Sequence, residues 1–190
     1  DKYAFCALAS SETNCKEFLR PYLAEAVASV CGDDVELCAV CVAKGMEFLN
    51  APYETIQKVT EDLVRSDGER YCFSKSQEEV DTLLWEAQLK YVFPLVENYR
   101  RYFVKKYYAF IKAALPINNG YGDQVMVPEE AELGNLMYLV ERGGIPVSAE
   151  ESMELKRYRK ARNELAHMNL LSNEELCVIL KAGKHKTASD

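Results

Sequence analysis

Three side chains near the end of the sequence have the types and spacing to do chemistry together. In Arg162-Asn163-Glu164-Leu165-Ala166-His167, a guanidinium, an amide and an imidazole fall within about one and a half turns of helix. Asn163 and His167 are four residues apart and share a face, whereas Arg162 lies about 140° around the axis from His167, an offset that only a long side chain spans. The planar fork of arginine suits a phosphate and its developing charge better than a lysine does. An imidazole titrates at about 6.5 in water, where a group can both accept and return a proton. These properties assign Arg162 to a scissile phosphate and His167 to general acid or base catalysis. Asn163 then hydrogen-bonds either the imidazole or a ribose or phosphate oxygen. The implied reaction is metal-independent cleavage of RNA, in which the 2'-hydroxyl is the nucleophile and the products carry a cyclic phosphate and a free 5'-hydroxyl. DNA lacks that nucleophile. A structural role for the same residues stays open: Arg162 paired with a carboxylate on a neighbouring helix, and His167 closing a helix whose dipole favours a cation there.

The surrounding sequence supplies the elements that would position them. Ser148-Ala149-Glu150-Glu151 reads as a capping box opening a helix, with Met153, Leu155, Tyr158, Leu165 and Met168 as its apolar positions. The Arg-Asn-His set therefore falls in that helix's last turns. Ser172-Asn173-Glu174-Glu175 is a second capping box, followed by Leu176, Ile179 and Leu180, with Gly183 as the expected C-terminal cap.

A long helix bearing RNxxxH at 162–167 and followed by a short amphipathic helix resembles the HEPN superfamily of all-helical ribonucleases. The resemblance covers residues 76–190. It implies catalytic roles for Arg162, Asn163 and His167, no cofactor, and a homodimer in which two copies of the motif build one composite site. It also suggests a defence or toxin effector, with an upstream NTPase domain or an antitoxin as partner. One imidazole cannot deprotonate the nucleophile and protonate the leaving oxygen at once, which makes a second copy chemically useful.

The net charge of −7 argues against a chain that grips nucleic acid by its overall electrostatics. The charge is uneven, with net −5 in residues 1–75 and −2 in the remainder. Two basic clusters lie in the second part. One is Arg100, Arg101, Lys105 and Lys106 among Tyr99, Tyr102, Tyr107 and Tyr108; the other is Lys156, Arg157, Arg159 and Lys160, just before the motif. Lys156, Arg159, Arg101 and Lys105 are the candidate RNA-binding residues. Tyr107 and Tyr108 cannot both face inward, so one is expected at the surface.

No apolar run has the length of a membrane span, the sequence holds no charged-then-apolar secretory segment, and the first residue is aspartate, as in a domain cut from something longer. Seven cysteines without such a segment read as reduced thiols of a cytoplasmic protein. Cys38-Ala39-Val40-Cys41 has zinc-like spacing but no second pair in the sequence, so packing on a buried helix is the expectation for it and for Cys6, Cys15 and Cys31, and no metal is assigned. His185, in a polar tail, is expected to be solvated.

The fold class expected is all-α: a small helical module over residues 1–75, then a four-to-five-helix bundle over 76–190. Helices are expected near 13–19, 21–31, 34–44 and 52–62, followed by a hairpin around Asp67-Gly68. Three helices and a hairpin resemble a winged helix, although Glu54, Glu61 and Asp62 on its candidate recognition helix disfavour DNA. Ser76-Gln77-Glu78-Glu79 caps the next helix, which Pro94 should kink and which continues towards Leu115. A loop with Pro116, Gly120 and Gly122 leads to a helix that Pro128 starts and Gly143 ends. Two other functions fit these elements: a non-catalytic dimerisation or partner-binding bundle, and a winged-helix DNA-binding regulator.

Overall fold

A computed structural model describes residues 1–118 and 124–187. Its described part is helical: α1 Lys2–Ser10, α2 Arg20–Cys31, α3 Val35–Lys44, α4 Met46–Asn50, α5 Pro52–Asp62, α6 Gln77–Lys106, α7 Tyr108–Ala114, α8 Leu133–Glu141, α9 Ala149–Ala166 and α10 Asn173–Thr187. A short antiparallel ladder pairs β1 Ile117–Asn118 with β2 Gln124–Val125, in the register Ile117↔Val125. The all-α class is as expected. The Gly120 and Gly122 of the expected loop, and the side chain of His185, lie outside the described residues.

The chain forms two compact units, Asp1–Tyr91 with Met168–Asp190, and Val92–His167. The N-terminal half of α6 buries Val80, Leu84 and Ala87, and its Gln88 donates to the Tyr22 hydroxyl at 3.3 Å and to the Leu171 carbonyl at 3.1 Å. The Leu171 N–H returns a bond to the same amide at 2.8 Å. A buried polar side chain needs such partners, and here they tie α6 to α2 and to the segment before α10.

In the first unit, α1, α2 and α3 pack against one another through Cys6, Leu23, Val27 and Cys41, all fully buried. Pro21 sits in the first turn of α2, where its fixed φ is an asset, and the Asp34 carboxylate caps α3 by accepting from the Leu37 N–H at 3.0 Å. Two segments differ from expectation. Helix α1 is additional, and the segment near 13–19 is a bend ending in a single 3-10 turn, Glu17–Leu19. The expected hairpin reduces to one bridge, Val64↔Arg70, closed by Gly68 at φ +87°. Side chains replace the ladder beyond it: the Arg65 guanidinium covers Tyr71 and pairs with Asp34, and Phe73 lies against Tyr53.

In the second unit the C-terminal half of α6 packs on α9. Tyr99 and Tyr158 stack at 4.1 Å with ring planes 8° apart, while Lys106 and Tyr107 reach Glu151. A step of seven or eight residues along α6 is matched by seven backwards along α9, so the two run antiparallel. Pro94 lies exposed inside α6, between buried Val92 and Val96, and the helix continues past it to Lys106. The break falls instead at Tyr107, which is buried, whereas Tyr108 is exposed, as the doublet required. Helix α8 stops at Glu141, and the expected Gly143 closes it in left-handed backbone at φ +74°, with the Gly143 N–H on Val140 O and the Gly144 N–H on Leu139 O. Gly183 does not end α10, which continues to Thr187.

Candidate functional site

Helix α9 carries all three motif residues in or just beyond its last turns, and its start is fixed by the expected capping box. The Ser148 hydroxyl accepts from the Glu151 N–H at 3.2 Å, and the Glu151 carboxylate accepts from the Ser148 N–H at 3.0 Å. Glu151 also binds the Lys106 ammonium and accepts from the Tyr107 hydroxyl at 2.8 Å. The Lys106 ammonium, first among these partners, pulls the Glu151 carboxyl down to about 2. The other two capping boxes also form, Ser76 with Glu79 and Ser172 with Glu175.

Leu155, Tyr158, Ala161 and Leu165 bury one face of α9. The face turned away carries Lys156, Lys160, Asn163 and His167, spaced by four, three and four residues, so they form one stripe along the axis. Arg159 flanks it. Lys156, Arg159, Lys160 and His167 are exposed, and Asn163 is half-buried. Lys156, Arg157 and Arg159 have no ion-pair partner among the described residues.

Arg162 is exposed, and its Nη1 lies 3.5 Å from Asn163 Oδ1, a long contact that leaves the guanidinium open to another acceptor. His167 is the C-cap of α9: its backbone N–H shares the carbonyls of Asn163 and Glu164 at 3.1 Å, and its ring makes no hydrogen bond among the described residues. The next residue, Met168, takes φ +61°, left-handed backbone that glycine usually occupies just past a helix end. Arg162 therefore pairs with no carboxylate among the described residues. The structure does not place either Arg162 or Asn163 in a hydrogen bond with the imidazole.

The α6 cluster is arranged differently. Arg100 and Arg101 share Glu97, at 2.8 and 2.9 Å, and Arg100 also donates to the Glu129 and Ala131 carbonyls. Arg100 first, then Arg101, draws the Glu97 carboxyl down to about 2. Lys106 is engaged by Glu151, which leaves Lys105 exposed and without a partner among the described residues. By the antiparallel register Arg101 stands level with Lys156, about 16 Å along α9 from His167, and Lys105 lies nearer the far end. Arg101 and Lys105 are thus outside the immediate surroundings of the motif, whereas Lys156 and Arg159 share its helix face. The left-handed backbone of Met168 was not legible beforehand, because nothing in residue type marks a methionine for that conformation. The Glu151 anchor was visible as a capping box but not as an ion pair.

Comparison with protein-family models, curated proteins and solved structures finds no match for this chain. The fold class and the exposed basic and imidazole stripe of α9 therefore rest on the chain's own geometry.

Proposed function

We propose that this chain is a metal-independent endoribonuclease of HEPN type, acting through the C-terminal end of α9. The observation that carries the reading is the exposed stripe Lys156, Lys160, Asn163 and His167, with Arg159 beside it and the Arg162 fork against Asn163. Lys156 and Arg159 supply positive charge along a phosphate backbone in a chain that is acidic overall. Arg162 binds the scissile phosphate, Asn163 orients ribose or imidazole, and His167 moves the proton.

The reaction needs two proton transfers, and each chain offers one imidazole in the motif. The active species is therefore a homodimer with two motif helices at one site. Exposed Met153, seven residues before Lys160 on the same side of α9, offers apolar area for such a contact.

The test uses an RNA carrying one 2'-deoxy sugar. Cleavage should be absent at that position and retained at its neighbours, and specific activity should fall on dilution in parallel with the dimer fraction. Cutting at the deoxy position would refute 2'-hydroxyl attack. Unchanged specific activity in a chain shown to be monomeric would refute the composite site.

A further inference from the structure

A second binding feature lies in the first unit, on residues that the ribonuclease reading does not use. Asp81, Thr82 and Trp85 follow Glu78 by three, four and seven residues in the first turns of α6, so the four share one face of the helix. Val80, Leu84 and Ala87, on another face, are in the core. Across from the first face runs the segment after α9. Gln88, one turn beyond Trp85, fixes that segment: its buried amide donates to the Leu171 carbonyl at 3.1 Å and accepts from the Leu171 N–H at 2.8 Å, and Leu171 is itself buried. Met168 and Leu170 are thereby kept beside α6 while remaining exposed. Between the two elements is a cavity of about 510 Å³, lined by Met168 and Leu170 on one side and by the α6 residues of that face, from Gln77 to Trp85, on the other. A small molecule fits such a volume.

The walls of this cavity differ in chemistry. Trp85, Met168 and Leu170 offer an indole, a thioether and a branched alkyl chain. Glu78 and Asp81 offer carboxylates that pair with no cation among the described residues. Thr82 adds a hydroxyl, which donates to the Glu78 carbonyl at 2.8 Å and keeps its oxygen as an acceptor. Asp81 is half-buried, and burial first, then the Glu54 carboxylate, holds its carboxyl above the usual value. Carboxylates partly withdrawn from water are stabilised by a cation. The other groups decide its kind. A metal ion is held by several converging donors, and no such group of acids, histidines and cysteines is present among the described residues. A quaternary ammonium is held by a cage of rings, whereas the indole of Trp85 is the one ring in this lining. Carboxylates and a hydroxyl accept N–H bonds, and the apolar wall covers hydrocarbon.

We propose that this cavity binds a short aliphatic polyamine, with ammonium groups on Glu78 and Asp81 and methylene segments against Trp85, Met168 and Leu170. Charge and hydrogen bonds set the position of the nitrogens, and the apolar wall separates a polyamine from a bare divalent ion of equal charge.

The test uses the full chain and labelled spermidine in equilibrium dialysis at about 0.15 M salt, where loose surface attraction is screened. One equivalent should bind, with half-saturation below about 1 mM. Trp85 is the chain's single tryptophan, so its fluorescence should change along the same curve. Asp81→Asn should raise the half-saturation about tenfold, whereas Glu86→Gln, which removes an equal charge from exposed α6 surface outside the cavity, should raise it less than about twofold. Absence of binding, binding that leaves Trp85 fluorescence unchanged, equal weakening by both variants, or displacement by equimolar Mg²⁺ would each overturn the proposal. So would a lysine peptide that displaces spermidine at a lower concentration than spermidine itself requires, since that assigns the cavity to a protein side chain. Dialysis and fluorescence on the unsubstituted chain decide the matter even if Asp81→Asn fails to fold.

Discussion

At its first turn α9 is held by side chains from three elements: Ser148 and Glu151 cap each other, and Lys106 and Tyr107 close on the same carboxylate. At its last turn the imidazole of His167 makes no hydrogen bond among the described residues. Among the described residues His167 is joined through its backbone N–H, Arg162 makes a long contact to the adjacent amide, and the chain leaves through a left-handed methionine. Both ends carry polar residues of similar size and number. The difference is that the first end uses its polar groups on the fold, while the second presents Arg162 and His167 to solvent from a helix whose other face is fixed by the Tyr99–Tyr158 stack. Groups that act on a ligand need rigid support and free polar atoms together, and that is the condition at the second end.

Substitutions at the two ends should separate activity from stability. The largest effect is expected at His167: His167→Ala should lower RNA cleavage by roughly 10² to 10⁴ with an unchanged melting temperature. Arg162→Lys should cost at least about tenfold despite keeping the charge, because lysine lacks the bidentate fork. A melting temperature that falls with His167→Ala would move the residue to the structural side of the comparison.

Glu151 should behave in the opposite way. Glu151→Ala should cost about 1 kcal/mol of stability, the usual worth of a lost helix cap, with little change in activity per folded molecule. Its folded-state value is depressed, so its contribution is fully present above the ordinary 4.5 and is lost as the pH falls through about 2. Glu151→Gln, which keeps the cap and removes the charge, should flatten that acid dependence in thermal melts. The smallest effect is at Met168, which is exposed and in left-handed backbone. Met168→Gly should stabilise the chain by roughly 0.5–1 kcal/mol. No gain would show that this end of α9 stores no strain.

The helical class, three capping boxes, the end of α8 at Gly143 and the span of α5 were legible because each depends on neighbours in sequence. Local signals failed where distant contacts decided. Gly183 marks a cap that α10 passes through on its way to Thr187. The turn at Asp67-Gly68 was visible, but Arg65 and Phe73 anchor by side chains and leave one bridge in place of a hairpin. In the candidate site, the spacing of Asn163 and His167 placed both on one face. The commitment of Arg101 to Glu97 was not readable, since residues three and four apart pair only when their rotamers allow it.

The central claim is that α9 ends in a catalytic site that needs no metal. The most direct measurement is cleavage of single-stranded RNA by the unsubstituted chain in excess chelator, with analysis of the product ends. The account predicts cleavage that leaves 2',3'-cyclic phosphates and 5'-hydroxyls. Cleavage that appears only when Mg²⁺ or Mn²⁺ is added, or that leaves 3'-hydroxyl ends, would contradict it, as would intact RNA with the folded dimer.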